Sequence, residues 1–273
     1  MPKLSYATSV PAGMPPENMF QALDDEGQPC GSAALVEYIN YAILPECPLN
    51  FYLSIQATDM RAFDQLMGAA LARARSLRKN NPRMPARIYA RCHPGDAERL
   101  RELTAYGFQN DDAVVRMRRI FLDSERGMLP NAPVGCQIAP VALDRPGDES
   151  ALLSRINSYS VIANQPNWLK GLMQEPFFIA LGMWQDNRLL GEMILTAYET
   201  QGTIQALYTV PDARRRGIAS AMLAQAGRIL LDYGVRSLVA DVWQRNRPAT
   251  ALFQAMGFDN REAVLLYPGM ALS

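Results

Sequence analysis

The sequence predicts a mixed α/β fold built from two homologous domains in tandem, and three observations carry that reading. The block "GFQNDDAVV", beginning at Gly107, returns as "GFDNREAVL" at Gly257; both have the form Gly-Phe-x-Asn-x-acid-Ala-Val-apolar. Upstream, "FQALDDEGQPCGSAALVEY" from Phe20 is echoed by "FIALGMWQDNRLLGEMILTAYE" from Phe178. Each reads as two strands around a polar turn, with a glycine opening the second strand. Between the halves lies "DSERGMLPNAPVG", whose Gly, Pro and Ser content suits a linker. The expected boundaries are a first domain at 1–122, a linker at 123–135 and a second domain at 136–273.

A chain of 273 residues has the length of about two ordinary domains, and an apolar content of 49% is enough for their cores. Basic and acidic residues balance at 27 each, so no global field draws the chain to nucleic acid or to a membrane surface, and any anion site must be local. Cys30, Cys47, Cys92 and Cys136 form no CxxC pair, and His93 stands alone. No metal centre is expected, and the thiols read as reduced. "MPKLSYATSVPAGMPP" has no apolar signal core, and no apolar run reaches membrane-spanning length. The expectation is a cytoplasmic protein with neither nucleic acid nor membrane as partner.

In the second half, "CQIAPVAL" reads as a strand, "DESALLSRINSYS" and "QPNWLKGLMQEP" as helices, and "FFIALGMW", "RLLGEMILTAY" and "TIQALYTV" as strands. A long helix begins near Gly217. Ile218, Met222, Ala226, Ile229 and Tyr233 recur on it every three or four residues as a buried stripe, and Gly234 fits its C-terminal cap. "SLVADVW" follows as a buried strand. Asn246 is a good N-cap for a short helix that takes Pro248 in its first turn and closes at Gly257; "REAVLLY" is the last strand. In the first half, "NFYLSIQA" leads as a strand into the helix "TDMRAFDQLMGAALARARSL".

The mouth of the long second-half helix carries the chemistry. It is preceded by "VPDARRRG", so Arg214, Arg215 and Arg216 stand where the helix dipole is already positive. Each such charge opposes the dipole by a few tenths of a kcal/mol, up to ~1. A bound anion offsets that cost. The first turn of a helix leaves backbone amides unpaired, Gly217 lets a phosphate approach the backbone without a Cβ, and arginines add charge-assisted hydrogen bonds. Phosphate binding is the expected role.

"VPDARRRGIASAML" resembles the pyrophosphate-binding signature of the GNAT acetyltransferase superfamily: Arg or Gln, two residues, Gly, one residue, then Gly or Ala. "NRPATALFQAMGF" resembles that family's second motif, and "LYTVP" the end of its fourth strand. The resemblance covers essentially the whole second half. It implies two tandem GNAT-like domains, each a mixed, mostly antiparallel sheet flanked by helices, with acetyl-CoA as cosubstrate and an amine as acceptor. It implies that the backbone of Tyr208 and Val210 pairs with the pantetheine arm. The amides of Arg215, Arg216, Gly217, Ile218, Ala219 and Ser220 would cradle the pyrophosphate, with Arg214 beside them. Asn246 and the helix after it, through Phe253, would flank the pantetheine and the departing sulfur.

Two departures qualify that picture. The family frequently places a tyrosine where this chain has Phe253, and a phenyl ring cannot donate a proton. Tyr267 is the substitute singled out, with Tyr208 and Tyr233 as further phenols. The strand "TIQALYTV" carries no carboxylate; Glu192 is the candidate base, with Glu199 and Glu175 as alternatives. In the first half no Gly-x-Ala opens the long helix, Asp59 and Asp64 would repel a pyrophosphate, and only "PAGMPPEN" stands where two helices are expected. The first domain therefore reads as a truncated, degenerate copy. The leading function is acetyl-CoA-dependent N-acetyl transfer to a small amine or peptide amine in the second domain. The alternatives are a non-catalytic CoA-binding sensor and a tRNA-dependent aminoacyl or peptidyl transferase, the latter disfavoured by the balanced charge.

Overall fold

The computed structural model describes residues 2–7, 10, 14–39, 41, 46–160 and 162–272. In chain order the elements are β1 (Lys3–Tyr6), β2 (Met19–Leu23), β3 (Pro29–Ile39), β4 (Leu49–Ala57), α1 (Met60–Arg78), β5 (Ala86–Ala90), α2 (Ala97–Ala105) and β6 (Gln109–Ile120). They continue with β7 (Gln137–Pro140), α3 (Asp148–Asn157), α4 (Pro166–Leu172), β8 (Phe177–Gln185), β9 (Arg188–Tyr198), β10 (Gln201–Thr209), α5 (Ile218–Asp232), β11 (Ser237–Trp243), α6 (Arg247–Ala255) and β12 (Asp259–Leu272). The chain folds into two compact units: residues 1–114, 243–246 and 263–273 make the first, and 115–242 and 247–262 the second.

In the first unit the sheet runs β1-β2-β3-β4-β5, followed by the C-terminal part of β12. All pairs are antiparallel except β4 with β5. Helix α1 buries Ala62, Phe63, Leu66, Met67, Ala70, Leu71 and Ala74, a three-to-four spacing that puts one continuous apolar face against the sheet. Among the described residues, β1 and β2 are connected only by a single 3-10 turn at Pro16–Asn18. Of the stretch "PAGMPPEN", residues 11–13 lie outside those described.

The second unit contains a sheet in the order β6-β11-β10-β9-β8-β7, β6 entering from Val115. Antiparallel neighbours again surround one parallel pair, β10 with β11. Helix α5 buries Ile218, Met222, Ala226 and Leu230 in this unit. On a separate face Leu152, Leu153 and Ile156 of α3 and Leu169 of α4 pack on Ala180, Ile194 and Tyr208. The linker residues are held to α5, whose Arg228 donates to the carbonyl of Leu129 and to Asn131 Oδ1.

The chain is thus a mixed α/β protein whose mostly antiparallel sheets are flanked by helices. The sequence repeats have matching local geometry. Helices α2 and α6 end in the same cap: Phe108 donates its amide to the Leu103 carbonyl as Phe258 does to Phe253, and Gly107 to Thr104 as Gly257 does to Gln254. The hairpin glycines match as well. A Cβ on Gly31 would lie 2.9 Å from the Gln56 carbonyl oxygen, and one on Gly191 would lie 2.5 Å from that of Tyr208. At both positions neighbouring backbone leaves no room for a side chain.

Candidate functional site

The mouth of α5 is open to an anion. Its preceding residue, Gly217, has φ 77°, and among the described residues no side chain caps the helix. Arg215 is also left-handed, with φ 63°. Alternating left-handed positions turn successive amides to one side, which makes an anion-binding concavity. Among the described residues the amides of Arg215 through Ser220 have no hydrogen-bond acceptor; the first paired amide is that of Ala221, which donates to Gly217. A Cβ on Gly217 would meet nothing closer than Pro133 Cγ at 4.0 Å, so the glycine serves the backbone turn and leaves the space above it clear.

The arginines around this mouth are exposed and poorly compensated. Asp212, the nearest acid in sequence, is paired with Arg188, and that hydrogen bond holds its carboxyl below the usual carboxylate range. Arg216 donates to Gln185 Oε1 at 2.8 Å, and Arg214 Nε reaches the Thr209 carbonyl at 3.3 Å. Arg215 has no ion pair or hydrogen bond from its side chain among the described residues.

Beside the mouth, β10 parts from β11. Their parallel pairing runs from Gln201↔Ser237 to Ile204↔Ala240, and the register of β10 on β9 shifts between Ile204 and Ala206. Beyond that bulge β10 is paired on its β9 side only. Val210 donates its amide to Leu190 and accepts at its carbonyl from Ala213. Because antiparallel pairs alternate, Tyr208 likewise turns its backbone toward Glu192, and the groups facing the open edge are those of Leu207 and Thr209. This corrects the expected register, Tyr208 and Val210, by one residue. Thr209 Oγ1 is buried without a partner.

Glu192 sits in a buried ion pair. It is 1% exposed, and both its oxygens accept from Arg155 of α3, at 2.7 and 2.9 Å. Tyr208 donates its hydroxyl to the same carboxylate and stacks on Tyr159 with ring centroids 4.3 Å apart. Burial, then the bond to Glu192, pushes the Tyr208 phenol up, and the Glu192 bond pushes the Arg155 guanidinium up. A carboxylate held this way ties α3 to β9; its lone pairs are already engaged. Arg155 and Tyr159 were not singled out from sequence. The available signal was a glutamate inside the apolar run "LLGEMIL", since a charge on a buried strand demands a partner.

The remaining candidates are dispersed. Phe253 is buried in the second unit and meets Phe258 edge-on at 5.0 Å. Tyr267 belongs to the first unit, buried against Trp243 at 4.4 Å and Tyr52 at 5.9 Å, and burial pushes its phenol up. Asn246, also in the first unit, donates its amide to the Trp243 carbonyl and directly precedes α6. Tyr233 is exposed at the far end of α5. Glu175 and Glu199 meet at a polar cavity in the second unit, on which Gln205 and Thr196 also open.

Comparison with known proteins gives the following. Residues 152–258 match the acetyltransferase (GNAT) family model. The solved GCN5-related N-acetyltransferase from Sphaerobacter thermophilus aligns with a TM-score of 0.53 at 14% identity, over 96% of this chain and 83% of that one. A conserved protein of unknown function from Enterococcus faecalis, described as a probable N-acyltransferase, aligns with a TM-score of 0.56 at 11% identity, over 93% of this chain and 61% of that one. A tandem GNAT protein from the clavulanic acid biosynthesis pathway aligns with a TM-score of 0.47 at 14% identity, over 93% and 82% of the two chains. No curated protein sequence matches. Among the described residues, no helix is long and apolar enough to cross a membrane.

Proposed function

We propose, from the chain's membership of the GNAT acetyltransferase superfamily, that it is an acetyl-CoA-dependent N-acetyltransferase whose second half, 136–273, is the working domain. The carrying observation is the mouth of α5, where six successive residues, Arg215 to Ser220, offer amides with no acceptor among the described residues, beside an exposed arginine run. Those amides, with Arg214, Arg215 and Arg216, would hold the pyrophosphate of acetyl-CoA. Backbone groups of Leu207 and Thr209 would pair with its pantetheine arm as a strand pairs with an edge. The cosubstrate supplies an acyl group activated as a thioester.

The chain's own contribution is placement. The open part of β10 and the anion cradle hold the thioester where an amine can reach it, and orientation of this kind is worth several kcal/mol of barrier. Glu192 is assigned to positioning through Arg155, because both its oxygens are taken. Phe253 contributes packing and no proton. The acceptor amine therefore sheds its proton to water.

The first half, 1–122, is proposed as a degenerate GNAT copy. Its α1 is capped by its own Asp59, which accepts from the Ala62 amide at 2.9 Å and sets a negative charge at the equivalent mouth. We also propose a reducing, cytoplasmic location, in keeping with the free thiols of Cys30, Cys47, Cys92 and Cys136. The second reading, a CoA-binding sensor, is favoured by one observation, the absence of a phenol at Phe253. Thiol release from acetyl-CoA across an amine panel separates the two. Turnover with any amine establishes the enzyme, whereas binding without release establishes the sensor.

A further inference from the structure

The second unit carries a polar hollow of about 400 Å³, open to solvent, with an unusual lining. Ligand pockets are mostly apolar, with a few polar groups that fix orientation. Here the wall is Glu175, Glu199, Thr196, Thr203, Gln205 and the phenol of Tyr198, completed by one more threonine and one more glutamine. Among the described residues no aliphatic side chain lines it, and neither does any lysine, arginine or histidine. Neither Glu175 nor Glu199 is in an ion pair among the described residues. A hydrocarbon-rich molecule gains nothing by entering such a space. A ligand that replaces water there must supply hydrogen-bond donors and positive charge.

The cavity also joins the place where β10 opens. Glu192, Ile194 and Thr196 alternate onto one face of β9, the face that carries the α3 ion pair. Thr196 is 4% exposed and accepts a hydrogen bond from Gln205 Nε2 at 2.9 Å. Gln205 is the residue at the β10 bulge, immediately after the last residue paired to β11. The inner wall of the cavity is therefore the point at which the cleft begins. Gln201 to Gln205 spans about 13 Å of strand, the length of a short flexible polyamine.

We propose that the acceptor is a small hydrophilic oligoamine. Its reacting amine lies at the β10 bulge, and a second ammonium group is held in the polar cavity by Glu175 and Glu199. This rests on the N-acetyltransferase reading above and names the substrate class of that site.

The test compares spermidine, hexylamine and a short uncharged peptide with a free N-terminus, using the full chain, acetyl-CoA and thiol release. Spermidine is expected to show a kcat/KM at least roughly tenfold above hexylamine, and the gap should narrow as salt rises and the Debye length shrinks. The double variant Glu175→Gln, Glu199→Gln is expected to raise the spermidine KM about tenfold, the loss of two exposed charge contacts. The acetyl-CoA dissociation constant, measured on the same variant, should not move. Equal or better turnover of hexylamine or of the peptide overturns the proposal, as does a spermidine KM untouched by the double variant. If no amine is acetylated, the acyltransferase reading falls. Calorimetric titration with spermidine then decides the cavity by itself: binding weakened by the double variant sustains a cationic-ligand site, and no binding ends it.

Discussion

Gly217→Glu tests the anion site where it is most exposed to failure, because the same residue sets the turn and clears the space. The backbone cost comes first. With φ at 77°, any non-glycine residue here is held left-handed, at about 1–2 kcal/mol. Crowding adds nothing, since the nearest atom to a new Cβ is 4.0 Å away. The ligand effect is larger. A carboxylate about 4 Å from a phosphate charge at an effective dielectric near 20 is repelled by about 4 kcal/mol, which is roughly three decades of affinity. At a hundred times the dissociation constant, acetyl-CoA stabilises the unaltered protein by ~2.7 kcal/mol, roughly 5–10 °C in Tm for a domain of this size. At the same concentration the glutamate variant is far below its own dissociation constant, and the shift vanishes. Gly217→Ala is the control: it carries the strain without the charge, so it starts lower and still responds. Differential scanning fluorimetry with and without acetyl-CoA reads both. A Gly217→Glu protein that gains as much Tm from acetyl-CoA as the unaltered one would refute the assignment of this turn.

Two further predictions concern stability. Burial pushes the Asp112 carboxyl up to about 6, from 3.8, with the amides of Ala113 and Arg245 opposing. The folded state therefore keeps a proton that the unfolded state has released, and this group lowers stability as pH rises from about 4 to about 6, by about 3 kcal/mol. Asp112→Asn keeps an oxygen for those amides and removes the charge. Its urea midpoint should exceed that of the parent at pH 7 and converge with it near pH 4; equal midpoints at pH 7 would contradict the burial argument. Glu192→Gln leaves Arg155 without its carboxylate. The cost should be about 2 kcal/mol, below the 3–5 of a wholly buried pair because the Arg155 side chain is 37% exposed and can rehydrate. A loss below the error of the melt would show that the pair contributes nothing.

The parts of the fold that repeat locally were legible, and the parts that depend on distant pairing were not. The stripe Ile218, Met222, Ala226 is buried as its spacing requires, whereas Tyr233 falls just beyond the last residue of α5 and is exposed. The short strands β1 and β5 went unread: "KLSY" and "ARIYA" are too short to show a period. The last strand continues past "REAVLLY" to Leu272, because Gly269 to Leu272 pair with β5, a partner far away in sequence. At the site, the glycine and arginines of the α5 mouth could be read because they occupy consecutive positions. The identity of Glu192's partner could not, because Arg155 reaches β9 from α3, far away in sequence. The Tyr208 and Val210 register failed for a related reason. Which strand edge a residue faces depends on its partner strand, and that partner became fixed only with the Val210–Leu190 bond.

The contrast between the two helix mouths permits one more test of which half binds. An N-terminus with orphan amides must satisfy them from within or from a ligand. Helix α1 does the first: Asp59, in extended conformation, caps it through the Ala62 amide. Among the described residues helix α5 has no side-chain cap, and the amides of Arg215 to Ser220 lack acceptors. The first arrangement makes the mouth part of the fold, and the second makes it a receptor. Asp59→Ala should therefore cost about 1 kcal/mol of stability, the usual price of a lost cap, and leave the acetyl-CoA-induced Tm gain intact. Gly217→Glu should do the reverse in proportion, with a modest loss in the free protein and an abolished gain. If Asp59→Ala instead erased the acetyl-CoA response, the first mouth would be taking part in binding, and a ligand assigned to α5 alone would be wrong.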